Sequence, residues 1–190
     1  AIGTATQATI VEHSDVKRML MRMKALTEAM RGLTYTCAYA FDVAERATDE
    51  EECSRASRRG DLLTPVVKGW CTDNAQIVAS LGVQIHGGMG FVEETGAAQY
   101  MRDARILPIY EGTNGIQALD LMGRKTLRDG GQAVSELFED MENTLSRLGQ
   151  LDLTNIETAF RESLEHLKEV LDWIKSNAGN NTLCNSAASH

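Results

Sequence analysis

Apolar side chains recur at steps of three and four residues along the first part of the chain, with polar residues between them. This repeat predicts one long amphipathic helix, and Ser14 stands at its N-cap position. We interpret the frequent methionines as packing groups at an irregular helix interface rather than as a promiscuous binding face. The apolar positions of the predicted helix are Val16, Met19, Leu20, Met23, Leu26, Met30, Leu33, Cys37, Phe41 and Ala44.

The next segment, ERATDEEECSRASRRGD at residues 45–61, is charged and has no apolar periodicity. Such a segment predicts a solvated connection between helices. Thr64 and Pro65 then have the types expected at the N-cap and first position of a second helix, which Gly82 would end. A basic ligand site is a less favoured interpretation of the same segment, and it would be formed by Arg55, Arg58 and Arg59.

The remaining pattern is also helical. A helix is predicted from Asn114 to Leu127, ending near the glycine pair at 130–131, and two further apolar stripes follow it. Because no strand-like alternation of useful length occurs, we expect an all-α fold of antiparallel helices joined by short turns. The two stripes are Val134, Leu137, Phe138, Met141, Leu145 and Leu148, and Ile156, Phe160, Leu164, Leu167, Leu171 and Ile174.

Composition excludes several classes of function. A net charge of -8 and a pI near 5.0 disfavour a sequence-independent nucleic-acid binder, because phosphates would be repelled. No apolar run has the length of a membrane span. The four cysteines show no Cys-x-x-Cys spacing, so we predict no metal site and a reducing, cytoplasmic setting. The chain opens on Ala1 without a signal peptide, and we expect it to be a piece of a longer protein.

Gly87, Gly88 and Gly90 form a glycine-rich stretch after the second predicted helix. Glycine permits positive φ angles and lets backbone N–H groups approach a bulky or anionic ligand closely. Taken alone, such a run is more often a turn between helices than a ligand site.

Glu111 lies between Tyr110 and the small pair Gly112 and Thr113, just before the helix predicted to begin at Asn114. An acid at this place could complement the helix dipole. It could also act as a general base. A carboxylate flanked by apolar and small groups is desolvated when a substrate binds, which suits it to removing a weakly acidic C–H proton.

Three blocks occur in order, QIHGGMGF, MRDARI and IYEGTNGIQ. Together they resemble the carboxy-terminal signature of the acyl-CoA dehydrogenases, and the resemblance covers roughly Val11 to Arg124. It implies an all-α, antiparallel helical bundle of that family's C-terminal type, with additional tail helices. The implied domains are an N-terminally incomplete C-terminal helical domain at 1–130 and an additional, truncated helical tail at 131–190.

The resemblance also implies an activity, the FAD-dependent α,β-dehydrogenation of an acyl-CoA thioester to a trans-2-enoyl-CoA. By its motif position Glu111 matches the base that takes the α-proton, while FAD accepts the β-hydrogen as hydride. Tyr110 and Gly112 match positions that contact the substrate. The backbone N–H of the base would polarise the thioester carbonyl.

For the cofactor, the resemblance implies that Gln84, Gly87 and Gly88 hold the FAD of a neighbouring subunit, with help from Thr113 and from the backbone of Asn114. The shared cofactor site implies a homodimer or homotetramer, and an electron-transfer flavoprotein would accept the electrons. Neither a metal nor a nucleic acid is implied. Without the family's other domains, we expect the chain alone to be inactive.

The chain departs from the usual family pattern at Gly115, where many relatives have a cofactor-contacting glutamine, at Gln99, where a basic residue is usual, and at His86. The Asn-Gly pair in the block IYEGTNGIQ resembles the motif of a bacterial subgroup of the family. That subgroup acts on short or unusual acyl-CoAs, including methylthiopropanoyl-CoA. Two alternatives stay open, an acyl-CoA oxidase that passes electrons to O2 and a non-catalytic helical interaction module of the same fold.

Overall fold

The computed structural model describes residues 9–188, and every regular element within that range is helical. The all-α prediction is confirmed. No helix in residues 9–188 is long and apolar enough to cross a membrane. The helices are α1 (Ser14–Arg46), α2 (Glu50–Ile85), α3 (Gly88–Phe91), α4 (Ala97–Ile106), α5 (Asn114–Asp120), a π-helical continuation (Leu121–Leu127), α6 (Gln132–Leu148), α7 (Thr154–Ser176) and α8 (Asn181–Ala187).

The long first helix is confirmed, but its methionines have different environments. Met19 is buried, whereas Met21 is exposed. Met23 and Met30 are half-buried and line an apolar cavity of about 490 Å³ together with residues of α2 and α4. The packing interpretation therefore holds for Met19 and does not hold for Met21.

The prediction of a solvated connection at residues 45–61 is wrong. Helix α2 begins at Glu50, so only three residues separate it from α1. Asp49 accepts a hydrogen bond from the backbone N–H of Glu52 at 2.8 Å, and three acidic residues in the first turn complement the helix dipole. The apolar periodicity is absent because ion pairs, rather than apolar side chains, face α6 from this part of α2.

The predicted helix start at Thr64 and Pro65 is wrong as well, since both residues lie inside α2. The Thr64 hydroxyl does not cap a helix and instead donates to the carbonyl oxygen of Gly60 at 2.9 Å. A proline within a helix gives up one backbone hydrogen bond. Gly82 does not end the helix, which continues to Ile85.

The chain divides into two compact units, and both long helices contribute to each of them. The first unit comprises Ala1–Thr36 and Val67–Asn114, and the second comprises Cys37–Val66 and Gly115–His190. In the first unit α1 and α2 run antiparallel, because Met23 adjoins Gly82 while Thr34 adjoins Cys71. The domain division predicted at residue 130 stays a prediction.

The core of the second unit lies between α6 and α7. Phe138 packs with Leu164 and Leu171, and Val134 and Met141 border the cluster. Both apolar stripes predicted after residue 131 are thus helices that pack on each other. Burying such side chains contributes about 1.5–3 kcal/mol each.

An ion-pair network joins α2 to α6 within the second unit. Arg58 makes two contacts below 3.1 Å with the Glu136 carboxylate. Arg59 reaches Asp140 at 2.7 Å, and Arg55 reaches the same carboxylate at 3.2 Å. The three arginines are therefore engaged with acids of the same chain, which argues against their use as a basic ligand site.

Burial raises the pKa of the Cys37 thiol, although a hydrogen bond with Thr64 opposes the shift. Burial likewise raises the pKa of Cys71, opposed by Thr34. Both thiols are therefore kept protonated and are poor nucleophiles or metal ligands.

Candidate functional site

The segment between α4 and α5 carries the acid that the sequence singles out. Its backbone closes on itself, because the N–H of Asn114 donates to the carbonyl oxygen of Pro108 at 3.0 Å. Glu111 lies within this loop with φ at 52°, and Gly112 follows with φ at 86°. Among the residues described, Glu111 is the one non-glycine residue with positive φ.

A left-handed backbone at Glu111 is a strained conformation that the surrounding contacts must hold. Such residues cost on the order of 1–3 kcal/mol and are found preferentially at active sites and ligand clamps. The carboxylate is solvent-exposed in this chain. Gly112 is also exposed, and it tolerates its positive φ without strain because it has no Cβ. The turn thus presents an acid next to a position without a side chain.

The closing residue of the loop, Asn114, is fixed to α2 by its side chain. Its Oδ1 accepts a hydrogen bond from Lys68 Nζ at 2.8 Å. Its Nδ2 donates to Asp73 at 2.7 Å, to Thr72 Oγ1 at 2.9 Å and to the carbonyl oxygen of Gly69 at 3.1 Å. These partners lie on one face of α2, since helical residues three and four apart are neighbours.

The other end of the loop is attached to the same helix. The side-chain amide of Gln76 donates to the carbonyl oxygen of Ala104, in the last turns of α4. One face of α2 therefore holds the chain both before and after Glu111. This support is not visible in the sequence, because Lys68, Thr72 and Gln76 carry no local motif and meet the loop only in the folded chain.

The glycine-rich stretch begins at Gly87, one residue after His86, which follows the end of α2 at Ile85. Gly87 has φ at 61°, and the carbonyl oxygen of Gly82 lies 2.8 Å from His86 Nδ1. Gly90 is buried, and a Cβ built on it would lie 2.2 Å from the carbonyl oxygen of Val83. Close packing therefore requires glycine at position 90, so part of the stretch is a helix-to-helix turn, as its composition alone favoured.

Gly88 differs from Gly90 because no packing contact with the residues described, 9–188, requires it to lack a side chain. Its φ is not positive, and a Cβ built there would meet no atom within 4 Å. Gln84, Gly87 and Gly88 are all solvent-exposed. The end of α2 thus offers an accessible amide side chain and uncovered backbone, which fits the close approach of a large group from outside the chain.

The remaining predicted site residues lie in the Glu111 loop or at its end. Tyr110 and Thr113 are exposed beside Glu111 in the same loop. The side chain of Asn114 is directed to α2, and its backbone N–H is used in closing the loop. Both the glycine-rich stretch and the Glu111 loop belong to the first unit.

Gln99, where a basic residue was expected, lies in an exposed polar network on α4. It donates to Asp103 at 2.6 Å and accepts from Arg102 at 2.7 Å. Arg102 also forms a bidentate pair with Glu93 at 2.9 and 2.7 Å. An uncharged amide at position 99 thus still engages Asp103.

The chain matches one family of known proteins over most of its length. Residues 3–126 match the family model described as acyl-CoA dehydrogenase, C-terminal domain. The chain is 50% identical over 175 residues to a 3-methylmercaptopropionyl-CoA dehydrogenase of Ruegeria pomeroyi, covering 87% of this chain and 30% of that protein. It is 40% identical over 122 residues to a butyryl-CoA dehydrogenase of Syntrophomonas wolfei, covering 64% of this chain and 20% of that protein.

A solved structure, the apo form of Bd2924, shares the fold with a TM-score of 0.64 at 22% identity. The similarity covers 91% of this chain and 35% of the solved one. The chain therefore spans about a third or less of the length of the proteins that it matches.

Proposed function

Because the chain belongs to the acyl-CoA dehydrogenase family, through that family's C-terminal domain, we propose that it is part of an enzyme that dehydrogenates an acyl-CoA thioester. The product is the trans-2-enoyl-CoA, and Glu111 is the base. The observation that carries the proposal is the turn at Glu111, where an exposed carboxylate in a left-handed conformation precedes Gly112 and is held on both sides by α2.

In this reaction the Glu111 carboxylate removes the proton from the carbon next to the thioester carbonyl. The negative charge that develops on the carbonyl oxygen is stabilised by hydrogen bonds, one of them from the backbone N–H of Glu111. Gly112 leaves room for the thioester, and Tyr110 contributes a contact to the substrate. FAD, when bound, supplies the acceptor that takes the β-hydrogen as hydride.

The accessible end of α2 supports a role in holding that cofactor. Gln84, Gly87 and Gly88 would contact the FAD of a neighbouring subunit, with Thr113 contributing near the base. The space beside Gly88 is not filled by any of the described residues, and this open backbone fits such a role. The site would then be complete only in a homodimer or homotetramer, and an electron-transfer flavoprotein would reoxidise the flavin.

The substrate is expected to be a short or unusual acyl-CoA. Two observations support this expectation. The chain is 50% identical to the Ruegeria pomeroyi protein, and a match over 87% of 190 residues must continue beyond residue 130, into the predicted helical tail. The Asn114-Gly115 form of the motif agrees with it. A cytoplasmic location in a bacterium is part of the same proposal.

The protein that contains this chain tests the proposal directly. Purified with bound FAD under anaerobic conditions, it should lose its oxidised flavin absorbance on addition of butyryl-CoA and release crotonyl-CoA. Rapid reoxidation by an electron-transfer flavoprotein and slow reoxidation by O2 distinguish a dehydrogenase from an oxidase. An absence of flavin reduction by short, branched, long and methylthio-substituted acyl-CoAs would instead favour a non-catalytic helical module.

A further inference from the structure

We propose that Asn114 and Lys68 are positioning residues for Glu111, and that they keep the base in its reactive place by fixing the loop to α2. The inference rests on the proposed function for the role of Glu111. The loop's attachment to α2 is observed in this chain independently of that role.

Backbone hydrogen bonds close the loop on itself and on the end of α4, and the side chain of Asn114 adds contacts with α2. The N–H of Asn114 closes the loop on Pro108, and the N–H groups of Ile109 and Tyr110 both donate to Ile106 at the end of α4. A left-handed residue such as Glu111 relaxes to an ordinary conformation unless its surroundings prevent it. The side chain of Asn114, three residues after Glu111, supplies the restraint.

The polar groups around Asn114 require an amide in one orientation. The cation of Lys68 faces the amide oxygen, whereas the Asp73 carboxylate and the Gly69 carbonyl face the amide nitrogen. Thr72 donates to the carbonyl oxygen of Lys68 at 2.6 Å, so its hydroxyl accepts from the Asn114 amide. Aspartate at position 114 would keep the Lys68 contact and place an anion against Asp73.

This arrangement couples α2 to the loop that carries Glu111. Reacting groups must be held within a fraction of an ångström, and a displacement of about 1 Å costs up to about 100-fold in rate. We therefore expect Asn114→Ala and Lys68→Met to lower kcat by about 10- to 100-fold and to change KM by less than about threefold. The FAD content should stay at the wild-type level.

The test uses the FAD-loaded protein that contains this chain, with butyryl-CoA and its α-dideuterated form as probes. A displaced base makes proton removal slower, so the deuterium isotope effect on kcat should rise in Asn114→Ala and Lys68→Met. Because Asn114→Ala already removes the Lys68 contact, the double variant should be little slower than Asn114→Ala alone. Asn143→Ala, at an exposed position of α6, is the matched control and should resemble the wild type.

Hydrogen exchange provides a readout that does not depend on activity. Peptides that cover residues 107–116 should exchange at least about tenfold faster in Asn114→Ala than in Asn143→Ala, while peptides of α7 exchange equally. Unchanged exchange in the loop overturns the inference, and so does a loss of FAD from Asn114→Ala that Lys68→Met does not share. If the wild type reduces no flavin, the proposed function fails, and loop exchange still decides whether Asn114 holds the loop.

Discussion

Gly90 shows how a single residue of the glycine-rich stretch is fixed by packing. Its backbone lies so close to α2 that a Cβ would come within 2.2 Å of the carbonyl oxygen of Val83 and 2.9 Å of His86 Cβ. Gly88, two residues earlier, has open space around its Cα. Gly90 therefore lacks a side chain for a packing reason that Gly88 does not share.

This contrast gives a prediction about stability. Gly90→Ala should lower the free energy of unfolding by about 1–3 kcal/mol, because α3 must shift away from α2 to admit the methyl group. Gly88→Ala should change it by less than about 1 kcal/mol, since the methyl group meets nothing and the backbone is not left-handed. Denaturant titration followed by circular dichroism measures both, and equal losses would contradict the assignment of Gly90 to internal packing.

Residue-scale features of the site were only partly predictable from sequence. The acid at position 111 and the glycines of the α2 end are visible as motifs. The positive φ of Glu111 is not visible, because it results from closure of the loop onto Pro108 and α2. The Lys68 contact is equally hidden, since it joins residues 46 positions apart. Predicting it requires knowing which face of α2 meets the loop.

At the scale of elements, α2 departs most from the sequence expectation. Its first part is helical without an apolar stripe, since Arg55, Arg58 and Arg59 face acids of α6. Apolar periodicity identifies a helix only where one face of the helix packs against apolar partners. It therefore does not detect the part of α2 in which paired charges replace apolar contacts. Pro65, a residue type that often starts a helix, lies inside α2 and adds to the wrong prediction. The helices α6 and α7, which do bury apolar groups, were predicted correctly, although Ile156 and Leu167 of the second stripe are exposed.

The Arg58 and Glu136 pair makes this packing dependent on pH. Burial of Glu136 opposes its ionisation, but hydrogen bonds from Arg58 and Gln132 and the charges of Arg58 and Arg55 outweigh it and lower its pKa. A carboxyl with a lowered pKa in the folded state stabilises the fold above its unfolded-state pKa. That contribution is lost as the pH falls through the folded-state value.

We therefore expect Glu136→Gln to lower the free energy of unfolding at pH 7 by on the order of 1–3 kcal/mol. The difference from wild type should shrink as the pH falls below about 4.3, the ordinary pKa of glutamate. Glu139→Gln is the control, because Glu139 is 64% exposed and lies 3.4 Å from Arg55; it should change stability by about 0.5 kcal/mol or less. A difference for Glu136→Gln that is the same at pH 7 and pH 3 would contradict the account.

At the scale of the whole molecule, the proposed base Glu111 and the proposed cofactor-binding residues Gln84 and Gly88 are all solvent-exposed. Under the proposed function, further parts of the protein that contains this chain would enclose their ligands. The chain spans 30% of the Ruegeria pomeroyi relative. Sequence motifs could predict Glu111 and the glycines that follow α2 as candidate site residues, but not the contacts with α2 that hold the Glu111 loop.

From this we expect the isolated 190-residue chain to purify without stoichiometric FAD and to show no acyl-CoA turnover. Under the proposed function, an exposed site would leave the flavin in contact with water and weaken its binding. Absorbance of the purified chain after addition and dialysis of FAD measures retention. Retention of one FAD per chain, together with butyryl-CoA turnover, would show that residues 1–190 form a complete site.

The most direct measurement of the central claim is the rate at which butyryl-CoA reduces the flavin in the FAD-loaded parent protein, compared between wild type and Glu111→Gln under anaerobic conditions. Loss of the base should slow flavin reduction by about 10²- to 10⁴-fold while FAD stays bound. Glu94→Gln, at an exposed acid of the turn before α4, should reduce at the wild-type rate. Flavin reduction at an undiminished rate in Glu111→Gln would contradict the assignment of Glu111 as the base.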